Sequence, residues 1–171
     1  MVELRRVRRQ QIVRQAEGYL ELGMAQHALE VLARLGTQTS LTGEALYLRG
    51  EALRELHRYG EAVVPLKLAA KENPENIRAW LALGWCYKRV GRLYDAIKSL
   101  ESAQLIDPED PLINYNLACY FSLARRKDLA LDYLSRALEL DFNYRELIDQ
   151  EQDFDSLRND RDFQNIIASP V

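Results

Sequence analysis

A period of 34 residues runs through this chain and restricts what it can fold into more than any composition figure does. Ala28, Ala62, Ala96 and Ala130 stand 34 residues apart, as do Leu32, Leu66, Leu100 and Leu134, and so do the small residues Ala16, Gly50, Gly84 and Ala118. A unit of this length holds two short amphipathic helices. It is too small to bury an apolar face alone, so neighbouring copies must stack. The units follow one another without insertion over 9–42, 43–76, 77–110 and 111–144.

The third unit shows the pattern most clearly. Trp80, Leu83, Gly84 and Tyr87 recur at helical spacing, Gly91 ends that run, and Leu93, Ala96, Leu100 and Ala103 resume it before Asp107-Pro108. Each half predicts a helix of roughly 12–14 residues. Gly91 suits the left-handed residue that closes a helix, and Pro108 cannot continue one. Thr42, Asn76 and Asp110 stand at N-cap positions, and Pro111 takes the first helical position after Asp110. Small residues mark where two helices approach closely, which pairs Gly84 with Ala96 and Gly50 with Ala62. Pro65 falls inside a predicted helix, where its missing N–H predicts a kink.

This pattern resembles the tetratricopeptide repeat family, whose signature corresponds here to Trp80, Leu83-Gly84, Tyr87, Ala96, Leu100, Ala103 and Pro108. The resemblance implies an all-α fold, a right-handed superhelical stack of antiparallel helical hairpins of the tetratricopeptide-type α-solenoid, with residues 1–171 as a single repeat domain. The first unit departs from the signature at Gln15, Leu35 and Ser40, and the fourth at Asn114 and Phe142, as end units often do. Residues 145–171 are not a fifth repeat. Asp153 to Phe163 resembles the segment that closes many bacterial tetratricopeptide arrays, which predicts a helical cap built on Phe154, Leu157, Phe163 and Ile166, with Asp153 and Asp160 as N-caps.

A chain of 171 residues, 47% hydrophobic and 29% charged, can build one continuous core. No apolar run approaches the roughly 18 residues of a membrane span, and the basic start is not followed by the apolar stretch of a secretory signal. Cys86 and Cys119 sit inside helical patterns and read as reduced thiols of a cytoplasmic protein. Arg5, Arg6, Arg8, Arg9 and Arg14 oppose only Glu3 near the start, whereas residues 139–162 are rich in carboxylates. Such ends can be solvated surfaces that keep the chain dispersed, or can support head-to-tail self-association as a homo-oligomer. Nucleic-acid binding by the arginines finds little support, because the chain carries a net charge of −3 and no aromatics are interleaved with them.

No catalytic pattern emerges. There is no glycine-flanked nucleophile, no phosphate-cradling glycine loop, and no Cys–Cys or His–His pair at metal-ligand spacing, so neither an enzyme nor a cofactor or metal site is expected. Attention turns to the inner face, which the first helices of such repeats line. Its free positions are the second, fifth, ninth and twelfth of each unit. They are Glu44, Tyr47, Glu51 and Arg54, then Arg78, Leu81, Trp85 and Lys88, then Leu112, Tyr115, Cys119 and Ser122, with Arg89 alongside. Exposed Trp, Tyr and Arg are the residues most enriched at binding hot spots. The family resemblance therefore implies a scaffold or adaptor that holds a protein or peptide segment in a concave groove, with Trp85 either its central anchor or packed against a neighbouring repeat. A dedicated chaperone for a secreted substrate is the alternative, and an enzyme with an unrecognised site stands third. Members of the family that bind chaperone tails clamp a carboxylate with Lys and Asn at the fifth and ninth positions. Here those places hold Val13 and Glu17, or Tyr47 and Glu51, which argues against that ligand.

Overall fold

The computed structural model describes the backbone of residues 2–36 and 41–168, and the side chains of residues 6–36 and 41–168. The side chains of Glu3 and Arg5, and Ser40 altogether, lie outside the described residues. The chain divides into two compact units, residues 1–91 and 92–171. Among the described residues every regular element is helical.

In the first unit, α1 (Val2–Glu21), α2 (Ala25–Ala33), α3 (Gly43–Glu55), α4 (Tyr59–Glu72) and α5 (Ile77–Arg89) follow in order. α1 packs on α2, α3 on α4, and α1, α3 and α5 lie side by side. The second unit holds α6 (Leu93–Ile106), α7 (Pro111–Leu123), α8 (Lys127–Leu140) and the tail, which comprises α9 (Arg145–Ile148), a 3-10 turn (Gln152–Leu157) and α10 (Arg161–Ala168). α7 packs against α6, α8 and the 3-10 turn, and α10 against α8.

Local chemistry sets these boundaries. The Thr42, Asn76 and Asp110 side chains accept from the N–H groups of Ala45, Ala79 and Ile113 at 3.4, 3.2 and 3.0 Å, each satisfying a donor that the helix start leaves orphaned. Each hairpin turn also carries a left-handed residue at one fixed register: Gly23, His57, Gly91 and Arg125, with φ of 70°, 59°, 78° and 58°. Gly adopts this conformation without penalty, whereas His57 and Arg125 bear the Cβ clash. The signature residue Trp80 donates its indole N–H to the Pro74 carbonyl at 2.8 Å. Asn114, its replacement one repeat later, donates to the Pro108 carbonyl at 3.0 Å and to the Asp110 carbonyl at 2.8 Å. The atypical residue thus makes the same bond with a shorter arm.

Local packing sharpens two expectations and corrects a third. A Cβ on Gly50 would meet Leu66 Cγ at 2.4 Å, so the side chain for which Gly50 most directly makes room is Leu66. Pro65 is buried inside α4, whose helical assignment continues on both sides of it from Tyr59 to Glu72. In the tail, Glu151 rather than Asp153 caps the 3-10 turn, accepting from the Asp153 N–H at 3.1 Å. Asp160 does cap α10, accepting from the N–H groups of Asp162 and Phe163. Phe154, Leu157 and Phe163 are buried in the cap with Ile148, while Ile166 is half-buried.

Candidate partner-binding site

The candidate positions of the first unit come from α3 and α5, where side chains four residues apart share a helix face. Tyr47 and Glu51 lie a turn apart on α3, and Leu81, Trp85 and Lys88 follow one another on α5. The Arg78 guanidinium sits 5.2 Å from the centre of the Tyr47 ring and bridges the two helices. Lys88 Nζ lies 5.7 Å from the Trp85 ring, which is 40% exposed, a large aromatic surface left to solvent. Such cation–π pairs fix aromatic rings in place while leaving their outer faces open. Glu51 and Arg54 form a two-bond ion pair, both contacts 2.9 Å, so their charges are largely spent on each other. Burial, and then the Glu51 charge, push the Tyr47 phenol up to about 12, so it stays neutral and acts as a donor. Arg89 leaves this face: its guanidinium lies over the Tyr59 ring at the start of α4, 5.1 Å from the centre.

Beside Tyr47 opens a recess of about 260 Å³ lined by Glu17, Glu21, Glu44, Glu51, Glu55 and Arg78, with Leu20 and Leu48 contributing apolar wall. The carboxylates of α1 and α3 therefore gather around Tyr47 with Arg78 of α5 among them, while Lys88 sits beside Trp85. Position counting puts Glu17 at the ninth place of its unit, 34 residues before Glu51, but it missed Glu21 and Glu55 as part of this surface.

A second recess, about 970 Å³, lies along the first turns of α1. Here α1 starts seven residues before the first repeat, while α2 stops at Ala33. Arg6, Arg8, Arg9, Arg14 and Arg34 surround an apolar floor of Ile12, Val13 and Leu35, with Glu44 opposing them.

In the second unit Leu112 is 41% exposed, as its position predicts. Tyr115, Cys119 and Ser122 are not surface residues: they are 4%, 2% and 1% exposed. The tail covers them. The Tyr115 ring packs between Tyr144 at 5.1 Å and Phe154 at 5.9 Å, and Ser122 Oγ donates to the Asp153 carbonyl at 2.7 Å. The repeat register places these residues on the inner face, but a cap that folds back onto α7 takes that face for itself. Both cysteines are buried, and burial holds the Cys86 thiol up at about 11, with Arg54 opposing the shift.

Comparison with known proteins agrees with this arrangement. A family model for the tetratricopeptide repeat matches residues 53–118. Residues 53–118 are thus of tetratricopeptide repeat type. Among solved structures, MamA superposes with a TM-score of 0.72 at 22% identity, over 81% of this chain and 81% of that one. A MamA from Desulfovibrio magneticus RS-1 covers 94% of this chain and 93% of its own, with a TM-score of 0.72 at 20% identity. YrrB, a tetratricopeptide protein with an unusual peptide-binding site, gives 0.71 at 20% identity over 80% of this chain and 71% of its own. Superkiller protein 3 of Schizosaccharomyces pombe is 30% identical over 80 residues, a match that takes in 47% of this chain and only 6% of that much longer relative. The fold class is accordingly all-α of the tetratricopeptide type, and among the described residues no helix is long and apolar enough to cross a membrane.

Proposed function

We propose that this tetratricopeptide protein is a non-catalytic scaffold or adaptor that holds a protein segment against the α3–α5 face. The single observation behind this reading is the surface made by Tyr47, Leu81 and Trp85, with its exposed indole, its two cation–π braces and the acidic recess beside it. The layout of charge suggests the ligand. Glu17, Glu21, Glu44 and Glu55 favour a basic end over α1 and α3. Lys88 favours an acidic residue over α5, next to an apolar anchor on Trp85. The peptide-binding site of YrrB supports the mode, not the sequence bound. We infer that repeats 9–42, 43–76, 77–110 and 111–144 serve this role as one repeat domain closed by residues 145–171.

The test is selection of binding peptides from a displayed random library, followed by affinity measurement on variants. Trp85→Ala should weaken the selected peptides by at least about 2 kcal/mol, roughly thirtyfold, with the helical content unchanged. Leu105→Ala, at a residue 82% exposed on α6, should leave binding intact. Equal affinity in wild type and Trp85→Ala would remove the face from consideration.

A further inference from the structure

Where the tail meets α7, three ligand-type side chains converge beside a buried tyrosine, and neither the repeat nor the proposed binding face explains them. Cys119 and Tyr115 stand one turn apart on α7, and Glu151 and Asp153 open the 3-10 turn that covers them. One ligand atom each from Cys119, Glu151 and Asp153 (the thiol sulfur and a carboxylate oxygen apiece) lie within 4.8 Å of one another. Cys119 is buried and both acids are half-buried. The Tyr115 hydroxyl is fully buried and makes no hydrogen bond, and the side chain as a whole is 4% exposed. A buried hydroxyl left in this state costs on the order of 1–3 kcal/mol, so its persistence near a thiol and two carboxylates needs a reason.

We propose that Cys119, Glu151 and Asp153 form a binding site for a thiophilic divalent cation of the zinc class, with the Tyr115 hydroxyl as fourth ligand or as donor to a bound water. The donor set fits that class: one soft sulfur with two carboxylates suits zinc or cobalt and is a poor match for magnesium or calcium, which take oxygen donors. On a tetrahedral zinc such ligands stand about 3.4–3.8 Å apart, so small side-chain rotations close the site. The backbones carrying the acids are already fixed. Ser122 Oγ holds the Asp153 carbonyl, and Arg158 donates to the Glu151 carbonyl at 2.9 Å and the Asp149 carbonyl at 3.1 Å. A cation here would tie the tail to α7, joining residues 32 and 34 positions apart.

The full chain, freed of metal with chelator, would be titrated with Zn²⁺ and separately with Co²⁺. One equivalent should bind with micromolar or tighter affinity, the Co²⁺ form should show a thiolate charge-transfer band in the near ultraviolet, and Zn²⁺ should raise the melting temperature. Cys119→Ala should abolish the band, and Cys86→Ala should keep it. Asp153→Asn, which retains shape and backbone contacts, should weaken Zn²⁺ by about tenfold to a hundredfold and guards against a misfolded Cys119 variant. No bound equivalent and no melting shift in the wild-type chain would overturn the proposal. So would a band that survives Cys119→Ala, or a Zn²⁺ affinity unchanged in Asp153→Asn.

Discussion

Replacing Gly50 with Ala tests the hairpin packing at its tightest point. A Cβ at this position would lie 2.4 Å from Leu66 Cγ and 2.5 Å from Cδ2, against about 3.5–4.0 Å for an ordinary carbon contact. Leu66 is 0% exposed, so it has no free space to retreat into and must move by about 1 Å with its neighbours. Overpacking of this kind costs about 1–3 kcal/mol, while Ala gains about 0.8–1.0 kcal/mol of helix propensity over Gly. The net expectation is a loss of about 1 kcal/mol. Leu66→Ala alone should cost about 2–5 kcal/mol through the cavity it leaves. In the double variant the new methyl occupies part of that cavity. The Gly50 change then becomes neutral or favourable, giving a coupling of about 1–3 kcal/mol. Urea unfolding at constant m-value measures all three. If Gly50→Ala stabilises the wild-type chain by about 1 kcal/mol, or if the two costs simply add, the contact is not where the structure places it.

Three further expectations concern the turns, the cap and pH. Arg125→Gly should stabilise by about 0.5–1 kcal/mol, because relief of a left-handed Cβ clash outweighs the added backbone entropy; His57→Gly should gain less, since His57 Nδ1 lies 2.7 Å from the Tyr59 hydroxyl. A destabilised Arg125→Gly chain in urea would contradict this. Phe163→Ala, at a side chain 0% exposed against Phe154, should cost about 3–5 kcal/mol, and a variant ending at Tyr144 should aggregate as Tyr115 and Cys119 lose their cover. A truncated chain that stays monomeric with unchanged melting would show that the tail is no cap. Cys86 and Tyr47 are held at about 11 and 12, above their ordinary values of 9.0 and 10.0, so the unfolded chain loses these protons first. Their contribution is complete below pH 9 and lost as pH rises toward 12, so the urea midpoint should fall across that window and be flat from pH 7 to 8.5.

The architecture was legible because a 34-residue period is a global constraint. Small residues, caps and breakers all return at the same register, so Thr42, Asn76, Asp110 and Gly91 could be placed from the chain alone. What the period hides is substitution within a kept role. His57 and Arg125 take the left-handed turn without glycine, and Asn114 makes the bond of Trp80 with a different side chain. The candidate site was legible only where repeat follows repeat. Tyr47, Arg78, Trp85 and Lys88 gather on the α3–α5 face, but Tyr115, Cys119 and Ser122 obey the same register and are nevertheless buried. Their fate depends on a non-repeating tail whose docking no periodicity encodes. The Cys119, Glu151 and Asp153 cluster escaped for the same reason: its members are distant in sequence, and ligand spacing is a local test.

Amide hydrogen exchange of the chain with and without a selected peptide tests the binding face most directly. The account predicts slowed exchange in α3 and α5, lost in Trp85→Ala, with α8 and α10 unchanged. Protection that appears instead along α6 or α8, or along α3 and α5 equally in the Trp85→Ala chain, would contradict it.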